Sequence, residues 1–82
     1  MIKILYFGVL KQNLNSSQEI LEWQGGNGEA LLALLRARGA AWEEALAPEK
    51  ILRLVINKRI SDWQDEIPDD AEVGLLPPVT GG

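Results

Sequence analysis

Glu72-Val73-Gly74-Leu75-Leu76-Pro77 decides how this chain is read. Five residues of strand-like character are closed by a proline, which cannot donate to a sheet ladder. The period of two puts Val73 and Leu75 on one face and Gly74 with Leu76 on the other. Val73 and Leu75 therefore read as mainly core. The same alternation appears at the other end of the chain. Ile2, Ile4 and Tyr6 share one face, and Lys3, Leu5 and Phe7 share the other. Both faces of residues 2–8 carry apolar groups, which predicts a strand inside a sheet.

The elements between them follow from the same rules. Lys11 to Ser17 is polar and reads as a loop. Gln18 to Trp23 alternates and predicts a second strand. Asn27 is a suitable helix N-cap, and Glu29 falls in the first turn against the positive end of the helix dipole. Leu31, Leu34 and Leu35 make one apolar stripe. The helix is predicted from about Gly28 to Arg38, with Gly39 as its C′ residue. Ala40 to Leu46 suggests a second short helix before Pro48. Ile51 to Ile56 is the best buried-strand candidate, Asn57-Lys58-Arg59 a turn, and Ile60 the start of a short return strand. Ser61 to Ala71 is acidic and loop-like, with a turn at Pro68-Asp69-Asp70.

The order is β-β-α-(α)-β-(β)-β. The right-handed crossover rule lets the last strand lie parallel beside the first, in the middle of a mixed sheet. This predicts an α+β protein of the β-grasp, ubiquitin-like class with one main helix. Residues 1–76 form the domain, and residues 77–82 an extended, flexible tail.

Composition narrows the chemistry. The chain has 82 residues, 46% apolar and 24% charged, the profile of a single globular domain. No apolar run approaches the roughly 20 residues needed to span a bilayer. The first residues lack the pattern of a signal peptide. A cytoplasmic location is expected, with no membrane partner. Cysteine and histidine are both absent, which removes disulfides, thiolate nucleophiles, the usual zinc ligands and the ordinary near-neutral base. A carrier or binding module fits better than a self-contained enzyme. Residues 61–82 hold six Asp/Glu and no Lys or Arg, within a net charge of −4 for the chain. That argues against nucleic acid as a partner and weakly for a basic docking surface.

The sequence ends Pro77-Pro78-Val79-Thr80-Gly81-Gly82. Two glycines make the thinnest and most pliable peptide available. Two prolines favour an extended stem. Six residues reach roughly 20 Å at about 3.3 Å each, enough to thread a narrow channel. Read from the tail alone, a frayed terminus is as reasonable.

The segment from Asp69 to Gly82 closely resembles the end of the small subunit of molybdopterin synthase, a family of ubiquitin-like sulfur carriers. Met1-Ile2-Lys3-Ile4-Leu5-Tyr6-Phe7-Gly8 resembles that family's first strand, and Val55-Ile56-Asn57-Lys58 its buried strand and turn. Leu75-Leu76 stand where the family has paired aromatics, Lys11-Gln12 where many members have Arg-Glu, and Asp70-Ala71 where Gly-Asp is usual. The resemblance implies that Gly82 is the functional group. An adenylating, E1-like enzyme would spend ATP to activate its carboxylate, and a sulfur donor would convert it to a thiocarboxylate. The sulfur would then pass to precursor Z, a phosphorylated pterin, inside the large subunit of the synthase. Gly81, Thr80, Val79, Pro78 and Pro77 would thread into that partner, and Leu76 and Leu75 would dock on it, Leu76 being the more interfacial. No cofactor or metal would be bound by the chain itself.

Related roles share the Gly-Gly ending: a thiazole-pathway sulfur carrier or a ubiquitin-like protein modifier. A non-catalytic interaction domain is the reading from another class. The remaining features read as structure. Arg36, Arg38, Arg53 and Arg59 are expected at the solvated surface, Asp69-Asp70 as turn chemistry, and Trp23, Trp42 and Trp63 against the core. Gly25-Gly26-Asn27-Gly28 lacks the Lys-Ser/Thr of a phosphate loop.

Overall fold

A computed structural model describes residues 1–47 and 52–77. Eight elements follow one another: β1 (Ile2–Tyr6), α1 (Val9–Asn13), β2 (Gln18–Leu21), α2 (Gly28–Arg36), α3 (Ala40–Ala45), β3 (Arg53–Ile56), β4 (Arg59–Ser61) and β5 (Glu72–Leu76). The strands form one mixed sheet in the order β2-β1-β5-β3-β4. β1 and β5 run parallel, pairing Lys3 with Glu72 through Tyr6 with Leu75. The other three pairings are antiparallel. The last strand is therefore the middle strand, with the first beside it, as the crossover rule predicts.

The alternation of β1 and β5 sorts their side chains. Ile2, Ile4 and Tyr6 are buried, as are Val73 and Leu75, both fully. α2 covers this face with Leu31 and Leu35, and Leu46, Leu54 and Ile67 complete the packing. The Asn27 side chain accepts a hydrogen bond from the Ala30 amide at 2.9 Å, capping α2 as its position suggests. The loop after β4 seals the same helix end: the Gly28 amide donates to the Asp65 carbonyl and the Glu29 amide to the Trp63 carbonyl. The acidic loop thus uses its backbone to satisfy donors that a helix start leaves open.

Several boundaries differ from the sequence reading; β4 starts at Arg59 rather than Ile60, and α3 ends at Ala45 with Leu46 as its C-cap. Residues 9–13, inside and just before the expected loop, form α1, whose contribution is the burial of Leu10, with Leu14 just beyond it. Two apolar residues over one turn give no period to read. β1 ends at Tyr6, because Gly8 turns the chain at φ +57°. β2 ends at Leu21 rather than Trp23. α2 ends at Arg36, with Ala37 as its C-cap, and Gly39 at φ +149° opens α3 instead of closing α2. Ile51, the expected start of β3, lies outside the described residues.

The three tryptophans pack against the core as expected. Trp23 Nε1 donates to the Ile67 carbonyl at 2.8 Å. Trp42 meets Tyr6 edge-on at 5.8 Å and lies 4.7 Å below the Arg38 guanidinium. Arg38 is more than the solvated charge the sequence suggests. Its two terminal nitrogens donate to both oxygens of Glu19 at 2.7 and 2.8 Å. The Tyr6 hydroxyl donates to the same carboxylate at 2.7 Å. This cluster ties β1, β2 and the α2–α3 link together.

The Arg38 hydrogen bonds hold the Glu19 carboxyl below the usual carboxylate range; partial burial opposes this and the Tyr6 hydroxyl reinforces it. Burial, and then the bond to Glu19, push the Tyr6 phenol well up. A carboxylate with a depressed folded-state pKa stabilises the fold above its unfolded pKa, about 4.3. That stabilisation is lost as the pH falls through the lower folded value. Urea unfolding of wild type and Glu19→Gln should therefore differ most above about pH 5 and converge as the solution is acidified.

Candidate functional site

One face of the sheet carries the helices, and the other is open. The open face is built by the side chains that alternate away from the core. Across its middle runs the row Leu5, Gly74, Val55 and Ile60, joined by registered pairs. Towards the end of β5 come Phe7, Leu76 and Arg53, with Arg53 opposite Leu76. At the start of β5 the pair Lys3 and Glu72 marks a charged border. Phe7 is 43% exposed and Ile60 75%. Leu5, Val55 and Leu76 are half-buried. Clustered exposure of this kind marks an interaction surface, where scattered single residues would not.

The chain leaves this face at Pro77, the last described residue before the C-terminus. The root is held by a close approach. A Cβ built on Gly8 would lie 2.9 Å from Pro77 Cγ and 3.5 Å from its Cδ. Gly8 is therefore required twice, by its positive φ and by the proline ring packed on its backbone. The Phe7 amide donates to the Leu75 carbonyl at 3.2 Å, extending the β1–β5 ladder to the same point. Whatever follows Pro77 departs from a fixed position at the end of the middle strand.

The residues expected to dock divide in two. Leu76 lies on the open face beside Arg53. Leu75 is fully buried, packs in the core and is not available to a partner. Strand parity is the physical reason: Leu75 points with Val73, and Leu76 with Gly74. Pro78, Val79, Thr80, Gly81 and Gly82 lie outside the described residues. Phe7, Val55 and Ile60 were not singled out by sequence. Alternation gives each of them a face, but only the sheet order brings them together.

The described residues hold no group of three or more Asp/Glu side chains that could bind a metal ion. A cleft of about 560 Å³ lies on the helix side, lined by Glu29, Leu32, Ala33, Arg36, Leu46, Ala47, Leu52 and Trp63. Among the described residues its charged lining is Glu29 and Arg36, with no nucleophile or paired acid and base. The chemistry this arrangement supports is presentation: an apolar face beside a firmly rooted strand end.

The mixed sheet with a parallel first and last strand, crossed by one main helix, defines a β-grasp, ubiquitin-like protein. SAMP1 from Haloferax volcanii has this fold; it superposes with a TM-score of 0.70 at 21% identity, over 99% of this chain and 98% of its own. A model of the ThiS family matches residues 4–82, and the chain belongs to that family. Two relatives align from end to end over 82 residues, covering all of both chains. The molybdopterin synthase sulfur carrier subunit of Escherichia coli K12 is 30% identical. The protein of the same name from Haemophilus influenzae Rd is 28% identical.

Gly8→Ala should lose about 1–3 kcal/mol of stability, from the disfavoured φ and the contact with Pro77. Urea unfolding of Gly8→Ala and of Gly8→Ala with Pro77→Ala separates the two causes. The double variant should recover the part due to the ring, and keep the part due to φ.

Proposed function

We propose that this chain is the sulfur carrier of molybdopterin synthase, with Gly82 as the group that carries the sulfur. The observation that supports this best is the end-to-end match to two sulfur carrier subunits, over the whole of each chain. The fold suits the role. The middle strand runs straight to Pro77, and the globule around it offers an apolar face and, among the described residues, no catalytic constellation. The chain acts in the cytoplasm as a non-catalytic subunit; among its described residues no helix is long and apolar enough to cross a membrane.

The chemistry follows from what a carboxylate lacks. Its oxygens are poor leaving groups, so the Gly82 carboxylate first attacks the α-phosphorus of ATP on an adenylating partner. This forms an acyl-adenylate and releases pyrophosphate. Sulfur at the oxidation level of sulfide then displaces AMP and leaves a thiocarboxylate. A chain without cysteine thereby gains a soft nucleophile. Within the large subunit the thiocarboxylate sulfur bonds to a carbon of the phosphorylated pterin as the carbon–oxygen bond there breaks and the oxygen leaves. Water then cleaves the acyl–sulfur bond, so Gly82 returns to the carboxylate and the sulfur stays on the pterin as a thiolate. One carrier delivers one sulfur, so a dithiolene takes two rounds.

The residues divide the work. Gly81 and Gly82 pass where a side chain would not. Pro77 and Pro78 reduce the entropy lost when the tail orders in the partner. Leu76, Phe7, Val55 and Ile60 dock on the large subunit through the open face.

Two measurements test this reading. Mass spectrometry of protein isolated from its host should find, on Gly82, the gain that corresponds to one oxygen replaced by one sulfur. Deleting Gly81-Gly82 should leave the unfolding midpoint within about 0.5 kcal/mol of wild type, yet abolish sulfur transfer with the large subunit. Full activity after the deletion would overturn the proposal. Gly82 found in isopeptide linkage to lysines of many proteins, and never as a thiocarboxylate, would replace the carrier with a protein modifier.

A further inference from the structure

Gly74 sits in the middle strand, with neighbours on both sides. Glycine is a poor choice there: it has no side chain to pack and gives up the most backbone freedom. Its backbone does not demand it, because Gly74 is not among the residues with positive φ. The reason is space. A Cβ built at position 74 would stand 3.1 Å from Cε2 of Phe7, 3.4 Å from Cβ of Val55 and 3.7 Å from Cδ1 of Leu76. The first distance is well inside an optimal carbon–carbon contact of about 3.5–4.0 Å. The Phe7 ring therefore lies across β5, over the place where a side chain would be, and Gly74 is buried beneath it. The other four aromatics are buried in the core or packed against it. Phe7 is the aromatic group of the open face, and it remains 43% exposed.

We propose that Gly74 is a positioning residue for partner docking: it forms the socket that seats the Phe7 ring near Val55 and Leu76, beside the root of the tail. The occupant of this face is the large subunit, and to that extent the inference rests on the function proposed above. A ring already fixed in its bound orientation loses less freedom on association than one that must be ordered. Even the small methyl of alanine fills the socket. At 3.1 Å the ring edge must give by a few tenths of an ångström, which loosens its seat and changes the surface the partner meets.

The experiment uses the full chain and the large subunit from the same host. Calorimetric titration would compare wild type, Gly74→Ala, Phe7→Ala and the double variant. Gly74→Ala should bind roughly three- to tenfold more weakly, the range expected for ordering one side chain, with a melting temperature no lower than wild type. In the Phe7→Ala background the same change at position 74 should have no further effect, since the two act as a unit. Nuclear Overhauser contacts from the Phe7 ring to the Val55 and Leu76 methyl groups, measured in the free protein, should be present in wild type and weaker in Gly74→Ala. If Gly74→Ala fails to fold, pairing it with Phe7→Leu relieves the contact and should bind as Phe7→Leu alone does. Unchanged ring contacts, unchanged binding, or an effect that persists without Phe7 would overturn the inference. Wild type that shows the ring contacts but does not bind the large subunit would overturn the carrier reading instead.

Discussion

The pairing of β1 with β5 is the constraint on which the rest of the structure depends. It joins residues almost seventy positions apart, Lys3 with Glu72 and Tyr6 with Leu75. Without it β1 and β3 would each present an open edge, which folded proteins avoid. β5 supplies both missing neighbours at once. It also places Val73 and Leu75 at the centre of the core, fully buried. The helix side and the open side of the sheet are defined only when this strand is in place. A fold closed by so distant a contact has a substantial loop entropy to overcome before the contact repays it.

Most of the architecture was legible because strands speak in a period of two. That period separated Ile2, Ile4 and Tyr6 from Lys3, Leu5 and Phe7, and it separated Leu75 from Leu76. The capping role of Asn27 was equally local, set within one turn of helix. Features decided by long-range contact were not legible. Nothing near Arg38 in the sequence announces its bidentate bond to Glu19, nineteen residues away. Nothing near Leu10 announces α1, since a single turn holds too few apolar residues to show periodicity.

The site shows the same division. The tail motif on which the proposed function rests lies in consecutive residues and is legible as a pattern, while Pro78 to Gly82 fall outside the described residues. The open face was not legible, because its row from Leu5 through Gly74 and Val55 to Ile60 draws one residue from each of four strands. The expectation that Leu75 docks beside Leu76 treated the two as a unit, as their adjacency invites. Sheet geometry sets neighbours on opposite faces, and so assigns one to the core and one to the surface. Gly8 and Gly74 were also mute in sequence. Each makes room for a ring, of Pro77 and Phe7 respectively, that belongs to another strand or to its end.

The parallel arrangement has a mechanical consequence. Under the proposed function, a carrier whose tail is held inside its partner is withdrawn by a force applied at Pro77, directed along β5. β1 flanks β5 from Glu72 to Leu75 and β3 from Val73 to Leu76, so such a pull tries to slide β5 between them. All the hydrogen bonds of both ladders then bear the load together, in shear, and none can be peeled away first. A strand at the sheet edge, pulled outward from one end, would open bond by bond at far lower force. Placing β5 in the middle thus gives a domain that withstands a pull at Pro77, as the proposed cycle of tail insertion and withdrawal requires.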